Sequence, residues 1–322
     1  MHKSLRFTLG AAALLAASLP AHAGVSLDRT SQSIAACPFL VTPSRLYRWV
    51  APPAGGCDIA GALGPVTEVW EGSLGLVAGD NVDAVSANTM TAENIPYHIY
   101  FSADRPSMGL PATPYRGEAV LNQAASDIWR MNNVTAMSPL ASMAACVASA
   151  IGGPHALFRN QDNYDFIFSA PPGAGPIGGN QDNIDALELD DLDPSLDKIH
   201  DVGVYFSLDA ASPSLGGASP AAVFFTPVGG VPGIWATVAQ LGLVPADNID
   251  ALVVWDRNVI GAPDPGVDLV LFSLAPGSPS LGGASPAAIF VSNLTGAFCP
   301  FVAANTLGMR VADNIDGLDV LP

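Results

Sequence analysis

The chain has 322 residues, 49% of them hydrophobic and only 13% charged, and its 29 acidic residues outnumber 12 basic ones to give a formal net charge of −17. So apolar a composition excludes a disordered chain, and so acidic a surface repels phosphate, which argues against nucleic acid as a partner. After the first segment no run of about 18 or more apolar residues occurs, so no transmembrane helix is predicted.

Residues 1–23 have the layout of a secretory signal peptide. Lys3 and Arg6 form a basic start, Leu9 to Leu19 an apolar stretch, and Ala21-His22-Ala23 a small-x-small cleavage pattern. The mature chain is expected to begin at Gly24 and to be secreted, in a periplasmic or extracellular setting. Processing removes two basic residues and no acid, which leaves 10 basic against 29 acidic and a charge of −19. Cys37, Cys57, Cys146 and Cys299 all follow the cleavage point. An even count in an exported chain predicts two disulfides with three possible connectivities. Cys37 and Cys299 each stand in a Cys-Pro-Phe triplet near opposite ends of the mature chain, so a bond between them would tie the termini together.

An internal repeat dominates the remainder. Ser214 to Ala222 recurs letter for letter as Ser280 to Ala288, 66 residues further on. Val204-Tyr-Phe-Ser-Leu208 matches Val270-Leu-Phe-Ser-Leu274, and Val244 to Ala251 matches Arg310 to Gly317. A more divergent copy runs through Ile99-Tyr-Phe-Ser-Ala103 and Ser126-Asp-Ile-Trp129, lengthened by an insertion over 135–180. The organisation expected is one β-repeat domain over 24–322: a partial unit over 24–79, a long first repeat over 80–181, further repeats over 182–246 and 247–312, and a closing strand over 313–322. Short β-branched and aromatic runs such as Asp250 to Trp255, Val267 to Ser273 and Ala287 to Ser292, bounded by Gly, Pro, Asn and Asp, predict strands. Ala236 to Leu243 suits a single helical turn. Three or four short strands per unit, with the chain starting and stopping mid-unit, predict an all-β propeller of about four or five blades closed by pairing of the N- and C-terminal strands. A β-solenoid or tandem sandwiches are the alternatives.

The motif Asp-Asn-x-Asp occurs five times. The four copies that precede an apolar strand are Asp80-Asn81-Val82-Asp83, Asp182-Asn183-Ile184-Asp185, Asp247-Asn248-Ile249-Asp250 and Asp313-Asn314-Ile315-Asp316, and the fifth is Asp162-Asn163-Tyr164-Asp165. Closely spaced Asp and Asn oxygens suit a hard cation, which nominates Asp80, Asn81, Asp83, Asp182, Asn183, Asp185, Asp247, Asn248, Asp250, Asp313, Asn314 and Asp316 as ligands for calcium. The same residues make Asx-turns that end a loop before a strand, and a repeat would copy that punctuation as faithfully. If each turn wraps calcium directly, magnesium substitutes poorly, because it demands a tighter octahedral shell.

Asp247 to Leu252, Phe206-Ser-Leu-Asp209 with Ser212-Pro213, and Ala222-Val223-Phe224 resemble the units of exported bacterial repeat proteins. Those proteins carry Asp-Asn-[Leu/Ile]-Asp-Ala-Leu and Phe-Ser-[Val/Leu]-Asp segments, and the resemblance implies no known activity. Asp313 to Asp319 is more loosely similar to the calcium loops of integrin-type propeller repeats, which implies calcium at that turn.

Signatures of common chemistry are missing: no G-x-S-x-G, H-E-x-x-H or P-loop occurs. His98, His155 and His200 each stand alone, Asp190-Asp191-Leu-Asp193 with Asp197 reads as a solvated loop, and Trp129, Trp235 and Trp255 read as core. Even repetition favours a non-enzymatic binding, cell-surface or matrix role, with carbohydrate (Tyr164 as platform) or protein as candidate ligand and the oligomeric state open. The alternative is a secreted hydrolase or lyase whose pocket is built by the 135–180 insertion around His155, Asp162 or Asp165.

Overall fold

The computed structural model describes residues 23–29, 31, 46–48, 66–69, 74–77, 79–87, 97–120, 124–134, 155–159, 182–189, 203–227, 232–304, 307 and 309–320. Across these the chain is all-β, with sixteen strands in four antiparallel four-stranded sheets. One sheet holds β4 (Val82–Ala87), β5 (Tyr97–Ala103), β6 (Ile128–Val134) and β7 (His155–Arg159) in chain order. The next holds β8 (Ile184–Leu189), β9 (Val204–Leu208), β10 (Val223–Thr226) and β11 (Gly233–Ala236), and a third β12 (Ile249–Trp255), β13 (Leu269–Leu274), β14 (Ile289–Ser292) and β15 (Phe298–Val302). The remaining sheet is made by both chain ends. The last strand, β16 (Ile315–Val320), pairs antiparallel with β1 (Ala23–Leu27), followed by β2 (Leu46–Arg48) and β3 (Val66–Val69).

Among the described residues, the strand that begins at the third residue of each of four acidic motifs is the first of its sheet: β4, β8, β12 and β16. These four pack on one another in succession, β4 against β8, β8 against β12, β12 against β16 and β16 against β4. Every residue of β8 is buried, and all but the last of β12. Both faces of such a strand meet protein, which is why Ile-Asp-Ala-Leu-Val-Val-Trp lacks the alternation of a half-exposed strand. The fourth strand of a sheet is different: β15 carries Pro300 and exposed Cys299, as an edge strand tolerates.

Packing repeats with the sequence. Phe206 lies opposite Phe224 with ring centroids 5.5 Å apart, and Phe272 opposite Phe290 at 5.8 Å, while Phe101 faces Trp129 in the sheet of the divergent repeat. Such aromatic pairs add about 0.5–1.5 kcal/mol each beyond area burial. Trp129 and Trp235 are buried in the core, and Trp255 packs at its edge. A single turn of helix, α2 (Val238–Leu241), precedes the third of the four motifs; Thr237 and Gln240 form its capping box and Gly242 closes it with φ 81°. A longer helix, α1 (Pro114–Val120), lies between β5 and β6. Among the described residues no helix is long and apolar enough to cross a membrane.

Ser102, Ser207 and Ser273, each following an aromatic on the second strand, stitch neighbouring sheets. Their hydroxyls donate to the carbonyls of Ile184, Ile249 and Ile315 on the next inner strand, all at 2.9 Å. Gly317 stands where the other three motifs have Ala, and a Cβ there would lie 2.5 Å from Ser26 Oγ and 2.7 Å from a Val85 methyl. Gly317→Ala is therefore expected to lower stability by about 1–3 kcal/mol through overpacking, read as a lower urea midpoint; an unchanged midpoint would show that this junction has slack.

Candidate cation site

Each motif divides its labour between its two aspartates. The first is a structural cap. Asp247 accepts hydrogen bonds from Val244 N (2.8 Å), Ser280 N (2.8 Å) and Ser280 Oγ (2.5 Å), so it ties its own turn to the Ser-Leu-Gly-Gly loop. Asp80 does the same with Val77 N, Met108 N and Gly109 N, and Asp182 with the backbone and hydroxyl of Ser214. Asp313 takes Arg310 N at 2.7 Å. The repeated Ser-Leu-Gly-Gly segment thus earns its repetition as a partner for the cap.

The asparagine is pinned by its backbone. Asn81, Asn183, Asn248 and Asn314 donate their N–H to Ser107, Ser212, Ser278 and Ser31 at 2.8–3.1 Å. Their carbonyls receive the N–H of Asp104, Asp209, Ala275 and Asp28. The main chain at each asparagine is thereby fixed on both sides.

The second aspartate is the extra residue of a β-bulge in all four sheets. Pairing slips between Val82 and Ala84, between Ile184 and Ala186, and between Ile249 and Ala251, and Ser26 and Leu27 lie opposite Gly317 and Ile315. A bulge leaves one residue outside the ladder and re-aims its side chain. Here it turns Asp83, Asp185, Asp250 and Asp316 out of their sheets and into one another's neighbourhood.

The result is a closed cycle of hydrogen bonds. Asn81 Nδ2 donates to Asp83 and Asp316, both at 2.8 Å. Asn183 Nδ2 donates to Asp185 at 3.1 Å and to Asp83. Asn248 Nδ2 bridges Asp250 (3.1 Å) and Asp185 (2.6 Å), and Asn314 Nδ2 bridges Asp316 and Asp250, both at 2.7 Å. Four amides therefore link four carboxylates drawn from four sheets. Every amide spends both N–H groups on the cycle, and the amide oxygens of all four asparagines accept no hydrogen bond although they are buried.

The cycle borders a cavity of about 300 Å³. Asp83, Asp185, Asp250 and Asp316 line it with Asn183, Asn248 and Asn314, and Asp28, Asp104, Asp209 and Arg105 stand nearer the rim. Burial raises the carboxyls of the four inner aspartates well above the usual carboxylate range, and negative neighbours add to it: Asp185 for Asp83, Asp250 for Asp185 and Asp316, and Asp83 for Asp250. The asparagine hydrogen bonds pull the other way and do not prevail. Asp104 is raised by burial too, despite Ser107 and Arg29. Arg29 reaches Asp104 at 2.5 Å and Arg105 reaches Asp209 at 3.1 Å. Ala275 takes the fourth rim position, so that unit contributes no rim carboxylate.

The twelve nominated residues therefore separate by place. Asp83, Asp185, Asp250, Asp316 and the four asparagines come together, whereas Asp80, Asp182, Asp247 and Asp313 face their own loops. Among the described residues no three His, Cys, Asp or Glu side chains lie close enough to hold one metal ion directly between them. The fifth motif, at Asp162 to Asp165, lies outside the described residues, as do His200, the acidic stretch at 190–197, Tyr164, Cys37, Cys57 and Cys146. His155 opens β7, so this part of the 135–180 insertion supplies the edge strand of a sheet. The rim acids Asp28 and Asp104 escaped sequence reasoning, and Asp209 entered it only as part of a repeat motif and not as a candidate ligand, though each follows the second strand by one residue and precedes a serine by three, a spacing visible in the repeat. No family model, curated protein or solved structure matches the chain.

Proposed function

We propose that this is an exported, non-enzymatic repeat protein with a binding role at the cell surface or in a matrix, folded as a four-bladed β-propeller around a central cation site that calcium occupies. What supports the propeller is the succession of inner strands β4, β8, β12 and β16 and the sharing of one sheet by both chain ends. One observation carries the cation: four buried carboxylates linked in a cycle beside a cavity whose lining offers acceptors and almost no uncommitted donors. Buried carboxylates are stable when they are protonated, paired or holding a cation. The site is shared, one per chain and not one per repeat, which suits stabilisation of the whole fold more than graded sensing. The enzyme alternative draws nothing from β7, whose residues extend a sheet.

Thermal unfolding in EDTA and in millimolar CaCl₂, with NaCl matching the ionic strength, tests the reading. Occupancy of a single site is expected to add about 2.7 kcal/mol at a hundredfold excess over Kd. An unfolding midpoint that calcium leaves unmoved overturns the cation site.

A further inference from the structure

We infer that removal of the signal peptide precedes the docking of β16, and that this docking seals the cleavage point. The inference rests on the export reading above and adds the order of the two events. Hydrolysis after Ala21-His22-Ala23 adds water across the Ala23–Gly24 peptide bond, leaving a carboxylate on Ala23 and an amino group on Gly24. In the folded chain that bond lies inside a paired strand. Ala23 stands opposite Val320 and Gly24 opposite Asp319, and on its other side Gly24 stands opposite Arg48 of β2. β1 is thus an interior strand with a partner on each edge. A peptidase that takes its substrate as an extended segment binds the backbone groups a sheet would pair. Backbone already committed to two neighbouring strands is withheld from it.

Contacts further along β1 hold the same junction shut. Ser26 and Leu27 are fully buried, and a Cβ on Gly317 would lie 2.5 Å from Ser26 Oγ, so the two strands pack closely. Past the strand, Asp28 N donates to the Asn314 carbonyl at 3.2 Å. Ser31 Oγ donates to that carbonyl at 3.2 Å and accepts from Asn314 N at 3.0 Å. Topology sets the timing. Between β1 and β16 in sequence lie all the strands of the other three sheets. Closing so long a loop is costly before the intervening strands have folded, so the Ala23–Gly24 bond stays accessible until β16 arrives. Processing is confined to that interval, and a precursor that folds first keeps its signal peptide.

The test uses the full 322-residue precursor and purified signal peptidase, with mass spectrometry reading the loss of residues 1–23. Peptidase is added either at the moment the precursor is diluted from urea or after refolding is complete. The refolding chain is expected to be cut at Ala23–Gly24, and the refolded chain at least about tenfold more slowly, because cleavage then waits on the open population. Two refolded variants of matched urea midpoint locate the seal. Gly317→Ala crowds the β1–β16 junction, whereas Phe224→Leu loosens the pair with Phe206 in another sheet. Gly317→Ala should be cut roughly fivefold faster than Phe224→Leu, the factor that about 1 kcal/mol corresponds to. Equal rates for the refolding and refolded precursor would overturn the inference and leave the export reading standing. Equal rates for the two variants would place the protection in the fold as a whole, which also overturns it. If neither sample is cut at Ala23–Gly24, the export reading itself is refuted.

Discussion

Asp247→Ala is expected to destabilise the protein by about 3 kcal/mol or more while leaving its response to calcium intact. The carboxylate accepts from Val244 N, Ser280 N and Ser280 Oγ, and it is fully buried. Its removal leaves donors without partners at about 1–3 kcal/mol for each buried group. Asp250→Asn, three residues along, has the opposite profile. It removes one charge from the cycle, keeps the side-chain volume, and sets one amide against the amide of Asn248 or Asn314, so its own stability change is small beside that of Asp247→Ala. Its calcium-induced rise in midpoint is expected to vanish. Chemical unfolding of both variants with and without calcium separates the roles. A calcium response lost in Asp247→Ala and kept in Asp250→Asn would invert the assignment of the two aspartates.

Without a bound cation, the protein is expected to be more stable at pH 5 than at pH 8, the reverse of ordinary acid denaturation. Burial first, and then neighbouring carboxylates, raise Asp83, Asp185, Asp250 and Asp316 well above the usual range in the folded state. In the unfolded chain an aspartate titrates near 3.9. Below about that pH both states hold their protons and no penalty arises. As pH climbs from there through the raised folded values, the unfolded state releases protons that the cycle retains, so the folded state binds more and stability falls with pH. Each unit by which a folded value is raised corresponds to about 1.4 kcal/mol, and four linked groups make this the largest pH effect expected of the molecule. Saturating calcium, which favours the ionised cycle, should flatten the slope. Thermal unfolding in EDTA between pH 4.5 and 8 is the measurement; a midpoint that rises steadily with pH would show that the four carboxyls are not strained in this way.

Much of the architecture can be read along the chain. The 66-residue duplication from Ser214 to Ser280, and the β-branched and aromatic runs between Gly, Pro, Asn and Asp, mark short strands in repeated units, because residues that fit a pleated, buried surface and residues that turn the backbone are locally distinguishable. The helical turn before Asp247 was visible in the same way, since Thr237 and Gln240 cap it within its own segment. The recurrence of Asp-Asn-x-Asp marked the acids as special, and it also favoured the turn that the first aspartate of each motif makes.

What local pattern could not decide was which aspartate does what. Asp247 and Asp250 are the same residue in the same copied motif, and only strand register separates them: the ladder resumes at Ala251 opposite Ser273, which throws Asp250 out as a bulge. Nor could spacing show that four turns form one site. Asn81 meets Asp316 across 235 residues of chain, and that contact exists because β16 lies between β1 and β4. A repeat read in one dimension suggests one ion per turn. Four inner strands packed in succession bring the turns to a common cavity, and the amide bridges between them set its width. The identity of each acid is local; its neighbours and its burial are properties of the assembled sheets.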